Sequence, residues 1–235
     1  MKRYNLFING EFVQGKREMV KVLNPATEEV IAEVPKATEA DVSAAVDAAY
    51  EAQKSWEKIP AIQRAGYLLE LAGMIRKNQK ALGELTSQEV GKPISQATAE
   101  AGWLADYFEY FAGMARHIKG EVITSDRPNE NIYLYKMPIG VVGGIMPWNF
   151  PLFLIGRKVA PALVAGDTVV LKPSSDTPCG CYEFAKMVAK SSLPKGVINV
   201  VTGSGAVVGQ ALSANPKVGL ISMRNTMATI PASAW

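Results

Sequence analysis

The sequence predicts an α/β protein built on a doubly wound parallel sheet, and three patterns carry that prediction. From Ile139 onward, short runs rich in Val and Ile alternate with segments long enough for crossover helices. From Thr38 to Gly120 apolar residues recur at helical spacing. Between these regions the period drops to two.

Taken in order, "YNLFINGEFV" alternates about Asn9-Gly10, a strong hairpin signal. Thr38 is placed to cap a first helix, with Asp41 as the acid of a capping box. A second helix runs from about Ala61 to "VGKP", where Gly91 caps it and Pro93 starts the next. That third helix carries Trp103, Tyr107, Phe111 and Met114 at helical spacing, a stripe expected to face the core. "EVITSD" and "NIYLYKMP" read as extended segments joined by a polar turn at "RPNE". With no helix between them, they should pair with each other or with another chain. "IGVVGGIM", "DTVVLKP", "VINVVTG" and "VGLIS" then read as buried parallel strands. Their connections give the order βαβαβαβ of a nucleotide-binding sheet.

The 235 residues are 48% hydrophobic and 20% charged, which fits a globular chain with a sizeable core. A net charge of +3 without a Lys/Arg block argues against nucleic acid or an anionic membrane as partner. Cys179 and Cys181 cannot build a disulfide framework and fit a reducing cytosol. "MKRYNLFINGEFV" meets Asn and Gly before an apolar targeting core can build up. The longest apolar stretch is far short of the ~20 residues of a membrane span. The expectation is a soluble cytoplasmic protein.

Ligands of such sheets bind beyond the carboxyl ends of the strands, which is where "MPWNFPLFLIGRK" places Asn149. Its amide is positioned either to donate to an oxyanion on a bound carbonyl or simply to cap the following helix. Arg157, two helical turns on, suits a carboxylate or a hydroxyl-bearing substrate, or stands as a solvated cation beside Lys158. Lys172 ends the second strand and can hold ribose hydroxyls or a phosphate, with Ser174 and Ser175 as added donors, or is merely solvated. "GSGAVVG" follows the third strand as a phosphate turn or as a set of packing glycines. Its spacing is one residue longer than the dinucleotide fingerprint. Cys179 and Cys181 lie at a helix start with Thr177 as cap and Pro178 in the first turn. For both thiols and for His117 packing roles are expected, and no metal-ligand spacing is present.

Together "LFINGEFV", "NPATEEVIAEVP", "PIGVVGGIMPWNFPL", "KVAPALVAGDTVVLKPSSDTP" and "LPKGVINVVTGSGAVVGQAL" resemble the NAD(P)-dependent aldehyde dehydrogenase superfamily. The resemblance covers about Tyr4 to Met223 and is nearest to the branch acting on lactaldehyde, glycolaldehyde and succinate semialdehyde. It implies that Asn149 donates to the oxyanion of a thiohemiacetal and that Ile145, Met146, Pro147 and Trp148 line the cofactor cleft. It further implies that Lys172 holds the adenosine ribose, that Gly205 and Gly209 lie near the adenine, and that Arg157 recognises the polar end of a small aldehyde. Ser175 stands where the family commonly has a Glu that repels a 2′-phosphate, so the implied cofactor is NAD or NADP.

The resemblance divides the chain into a helical and hairpin part of the dinucleotide-binding domain (1–118), an antiparallel oligomerisation arm (119–137), a Rossmann-like part (138–223) and an atypical tail (224–235). The tail stands where the family has Thr-Gly-Ser, and the nucleophilic cysteine, the general base and the rest of the catalytic domain have no counterpart. The sheet is therefore expected to be incomplete, homo-oligomeric assembly doubtful, and the chain inactive by itself. The alternative is a non-catalytic nucleotide-binding or subunit-interaction module.

Overall fold

The computed structural model describes residues 1–223, and the tail at 224–235 lies outside them. Five short strands open the chain: Lys2–Arg3 (β1), Leu6–Ile8 (β2), Glu11–Val13 (β3), Met19–Leu23 (β4) and Val30–Pro35 (β5). The β2–β3 hairpin turns at Asn9 and Gly10, whose φ values of 53° and 77° give the primed turn that Asn-Gly favours. Strands β4 and β5, not anticipated from the sequence, pair antiparallel, and β1 joins β5 to complete a small sheet.

Helix α1 (Glu39–Trp56) starts with the predicted capping box: Thr38 Oγ1 accepts from the Asp41 amide, and Asp41 accepts from the Thr38 amide. The single helix predicted after Ala61 is in fact two, α2 (Ala61–Lys77) and α3 (Gln79–Val90). Asn78 divides them, because its side chain donates to the Met74 carbonyl (2.8 Å) and competes with the helical ladder. Gly91 closes α3 at φ 78°, where a Cβ would come within 2.7 Å of Pro25. Helix α4 (Ile94–Gly113) follows, with Pro93 at its cap position. The expected aromatic core stripe is corrected. Ala101, Leu104, Ala105 and Phe108 form the buried face, while Trp103 is 44% exposed and Tyr107, Phe111 and Met114 are half-buried. Small alanines let α2 and α3 approach α4 closely and turn the larger rings to its flank. His117, expected to pack, is exposed.

Glu121–Thr124 (β6) and Asn131–Leu134 (β7) pair with each other, antiparallel and in register, and every residue of both is exposed. The chain then winds through Val141–Ile145 (β8), Phe153–Ala165 (α5), Thr168–Lys172 (β9), Cys179–Val188 (α6), Ile198–Val200 (β10), Gln210–Ala214 (α7) and Val218–Met223 (β11). The sheet order is β11-β8-β9-β10-β2-β3, with the first four strands parallel and the hairpin added antiparallel through β10 and β2. Val142, Val169, Leu171 and Val200 face the layer of α2 to α6, whereas Val141, Val170 and Val201 face α1 and α7. Each such side chain contributes about 1.5–3 kcal/mol on burial. Strand order reverses between β8 and β11, so the crevice at the carboxyl end of β8 is the topological switch point. Among the described residues, no helix is long and apolar enough to cross a membrane.

The ends of α5 and α6 lie inside the protein and need partners for their unpaired backbone groups. The helical layer supplies them. Glu100 accepts from the Leu152 and Phe153 amides (2.9 and 3.1 Å) at the start of α5. At its other end Arg64 donates to the Val164 carbonyl (2.9 Å) and Gln53 to that of Gly166 (2.9 Å). Glu89 accepts from the Cys179 and Gly180 amides (2.8 and 3.0 Å) at the start of α6. Thr177, expected to cap that helix, instead donates its hydroxyl proton to the Trp148 carbonyl (3.1 Å). Burial, with repulsion from Glu100 adding to it, pushes the Glu89 carboxyl up to about 7 despite the helix amides. The folded chain therefore keeps a proton on Glu89 that the unfolded chain has already released, and this contribution to stability is lost as pH rises from about 4.5 to about 7. In urea titrations across that window, Glu89→Gln should remove a fall in unfolding free energy that the parent chain shows; an identical pH slope in both would refute this assignment.

Candidate active site

Three loops leave the carboxyl edge of the parallel strands side by side. Ile145 is in register with Lys172, the Met146 amide donates to the Lys172 carbonyl (3.0 Å), and Ser175 Oγ donates to the Gly203 carbonyl (3.2 Å). The residues singled out after β8, β9 and β10 thus form one ledge. Met146 is buried at its base, Ile145 and Pro147 are half-buried, and Trp148 is exposed at its rim.

Asn149 does not cap α5, which begins four residues later under Glu100. Its carbonyl accepts from Lys92 Nζ (2.6 Å), while among the described residues its side-chain amide has no hydrogen-bond partner. The amide is half-buried beside a cavity of about 150 Å³ lined by Asn149, Phe150, Phe153 and Leu154. A donor held at a strand end beside an open volume is what an oxyanion site requires. Arg157 is exposed, with its guanidinium over the Phe153 ring (5.8 Å to the centroid), so Phe153 links it to the Asn149 cavity. Tyr107 and Trp103 meet the same ring edge-on, at 5.0 and 6.0 Å between centroids. Trp103 and Tyr107 of the expected core stripe therefore pack against a wall of this cavity, whereas Phe111 packs against the core as expected.

Lys172 is only 5% exposed, and among the described residues its ammonium makes one hydrogen bond, to the Pro173 carbonyl (3.2 Å). Desolvation lowers its pKa, with Asp176 acting weakly the other way. A buried ammonium with one carbonyl acceptor has donors to spare for hydroxyls or a phosphate. Ser174 Oγ lies within a loop of its own, donating to Asp176 (3.4 Å).

The two readings of the glycine run divide between its members. Gly203, at φ 155°, is a packing glycine, since a Cβ there would meet Val208 at 2.5 Å. Gly205 to Gly209 form a π-helical turn before α7, with Ser204 Oγ accepting from the Val207 amide (3.2 Å). A Cβ on Gly205 meets nothing within 4 Å, and one on Gly209 comes no nearer than 3.9 Å to Lys172. Packing demands neither glycine: Gly205 faces open space and Gly209 lies against the lysine stem. The residues fit the adenosine end of a dinucleotide.

Cys179 and Cys181 are both buried free thiols, each pushed far above the usual range by burial, with the neighbouring Glu89 adding to it. They are packing groups, as expected. The site also contains side chains that no sequence pattern indicated: Lys92 and Glu100, whose partners in the Asn149 loop lie more than fifty residues along the chain.

The chain is 46% identical over 226 residues to the lactaldehyde dehydrogenase of Escherichia coli (strain K12), covering 96% of this chain and 47% of that protein. It is 41% identical over 224 residues to the 3,6-anhydro-alpha-L-galactose dehydrogenase of Vibrio sp. (strain EJY3), covering 95% of this chain and 47% of that one. The crystal structure of Escherichia coli lactaldehyde dehydrogenase superposes with a TM-score of 0.92 over 94% of this chain and 46% of that one, at 46% identity. A 3,6-anhydro-L-galactose dehydrogenase structure in complex with NAP gives 0.90 over 93% and 46%, at 38% identity. The chain spans about half the length of the curated relatives it matches. The model of the aldehyde dehydrogenase family matches residues 12–229, and the chain belongs to that family.

Proposed function

We propose that these residues form the cofactor-holding part of an enzyme that oxidises a short polar aldehyde, of the lactaldehyde, glycolaldehyde or succinate semialdehyde type, to its carboxylic acid with NAD or NADP. The observation that carries this is the Asn149 amide, without a hydrogen-bond partner among the described residues and beside a cavity in the loop that follows β8 at the switch point of the sheet. The cofactor, when bound, supplies the hydride acceptor. Asn149 donates to the carbonyl oxygen of the aldehyde as negative charge develops there, a contribution typically of ~3 kcal/mol to the barrier. Arg157 at the cavity mouth attracts a carboxylate or hydroxyl at the far end of the substrate. Lys172 and Ser174 hold the ribose hydroxyls or a phosphate, beside Gly205 and Gly209, while Ile145, Met146, Pro147 and Trp148 wall the cleft. The exposed β6–β7 arm is an oligomerisation element, and its unburied Ile132, Tyr133 and Leu134 support that reading. Two free buried cysteines agree with a cytoplasmic setting.

Ser175 decides cofactor choice. Its short side chain carries no charge to repel a 2′-phosphate, so both nucleotides are accepted. In calorimetric titrations of the 235-residue chain, Ser175→Glu should weaken NADP at least about tenfold, roughly 1.4 kcal/mol, and NAD much less. Equal weakening of both counts against the assignment.

The two cysteines among these 235 residues are buried and held protonated, so neither offers a thiolate to an aldehyde in the Asn149 cavity. The purified chain should form no NADH or NADPH from lactaldehyde, glycolaldehyde or succinate semialdehyde, as followed by absorbance of the reduced nicotinamide. Any clear aldehyde-dependent reduction by the pure chain would overturn that. The exposed arm favours a second reading, a non-catalytic module that holds nucleotide or joins other subunits. Co-purification with a longer homologous subunit, together with zero turnover, would favour it.

A further inference from the structure

The loop carrying Asn149 has no regular structure to hold it, yet the polar backbone groups on both sides of the residue are held from other elements. Thr177 Oγ1 donates to the Trp148 carbonyl (3.1 Å), and Lys92 Nζ donates to that of Asn149 (2.6 Å). Lys92 Nζ also donates to Glu100 Oε2 (2.5 Å) and lies 4.2 Å from the centre of the Phe150 ring. Glu100, fully buried, uses its other oxygen on the Leu152 and Phe153 amides. Pro151 has no amide proton to satisfy.

We propose that Lys92 and Glu100 form a positioning clamp that sets where the Asn149 side-chain amide points. The proposal rests on the reading of Asn149 as the oxyanion donor. A helix cap alone would need only Glu100 Oε1. The second oxygen instead anchors an ammonium that also donates to the Asn149 carbonyl and lies over the Phe150 face, so each of its contacts named here is to the pair or the loop. The lysine is itself held in place: its carbonyl accepts from Ser87 Oγ (2.7 Å), between the left-handed Gly91 and the rigid Pro93. Once the peptide planes before and after Asn149 are pinned, the direction of its Cα–Cβ bond is set, and the amide is delivered to the cavity with no hydrogen-bond partner of its own among the described residues. Lys92 and Glu100 touch no reacting atom and act through Asn149.

The test is NMR of the 235-residue chain with 15N-labelled asparagine, following the Asn149 side-chain amide pair, which is identified by its loss in Asn149→Asp. Lys92→Met keeps the stem and removes the donors. It should shift and broaden the Asn149 pair while the other asparagine side chains stay in place, and Lys92→Arg should restore it. Glu100→Gln should have the same effect as Lys92→Met and replaces it should that variant fail to fold. Arg64→Met removes the cap at the opposite end of α5; it should lower the melting temperature yet leave the Asn149 pair unmoved. An unchanged Asn149 pair in a folded Lys92→Met or Glu100→Gln chain overturns the clamp, as does an equal response to Arg64→Met. Titrating NADP into the parent chain separates this from the functional reading. With glycine 15N-labelled as well, shifts of the Gly205 and Gly209 amides with no Asn149 response to Lys92→Met leave the functional reading standing and the clamp refuted. An Asn149 response to Lys92→Met without nucleotide binding does the reverse.

Discussion

Helix α5 lies with both ends inside the protein, and opposite charges from the helical layer bracket it. Glu100 meets its first amides, and Arg64 meets its last carbonyls with Gln53 beside it. This polarity follows the helix dipole, with the anion at the amino end and the cation at the carboxyl end. Each hydrogen bond to a charged group is worth about 1.5–3 kcal/mol, and leaving a buried charge unpaired costs more than the bond returns. Everything at the carboxyl edge of the sheet depends on where α5 begins, because the loop that precedes it carries Asn149.

Two buried glutamates do related work under different constraints. Glu100 has a cation of its own in Lys92, whereas Glu89 accepts from the amides of Cys179 and Gly180, forms no ion pair among the described residues and feels the charge of Glu100. Desolvation therefore decides the protonation of Glu89. Through it, α6 and the β9 loop with Lys172 and Ser175 are tied to the end of α3. The same connection between α3 and α4 presents Lys92 to the β8 loop. One edge of the helical layer thus organises both the β9 ledge and the Asn149 cavity.

Local patterns in the sequence were dependable wherever the deciding interaction was local. The Asn9-Gly10 turn, the Thr38–Asp41 box, the Gly91 cap and the paired β6 and β7 all involve neighbours within a few residues to a dozen. The parallel strands were legible because strands buried on both faces must be apolar throughout. One error was itself local: Asn78 broke a helix because its side chain bonded back four residues to Met74. The others have physical causes of the opposite kind. Thr177 lost its capping role to Glu89 and turned to Trp148. The rings of α4 moved to its flank because alanines made the closer interface.

By itself the sequence determined the strand–helix alternation from Ile139 onward, the family, and the positions of Asn149, Lys172 and the glycine turn, since each is written in a contiguous motif. Only the tertiary structure decided that Gly205 and Gly209 are free of packing demands while Gly203 is not, and that Lys92 and Glu100 hold the Asn149 loop. The reason is distance along the chain. A capping box closes over three residues, but the bonds from Lys92 and Glu100 to the Asn149 loop span 57 and 52, and no local pattern specifies which buried backbone a distant charge will meet.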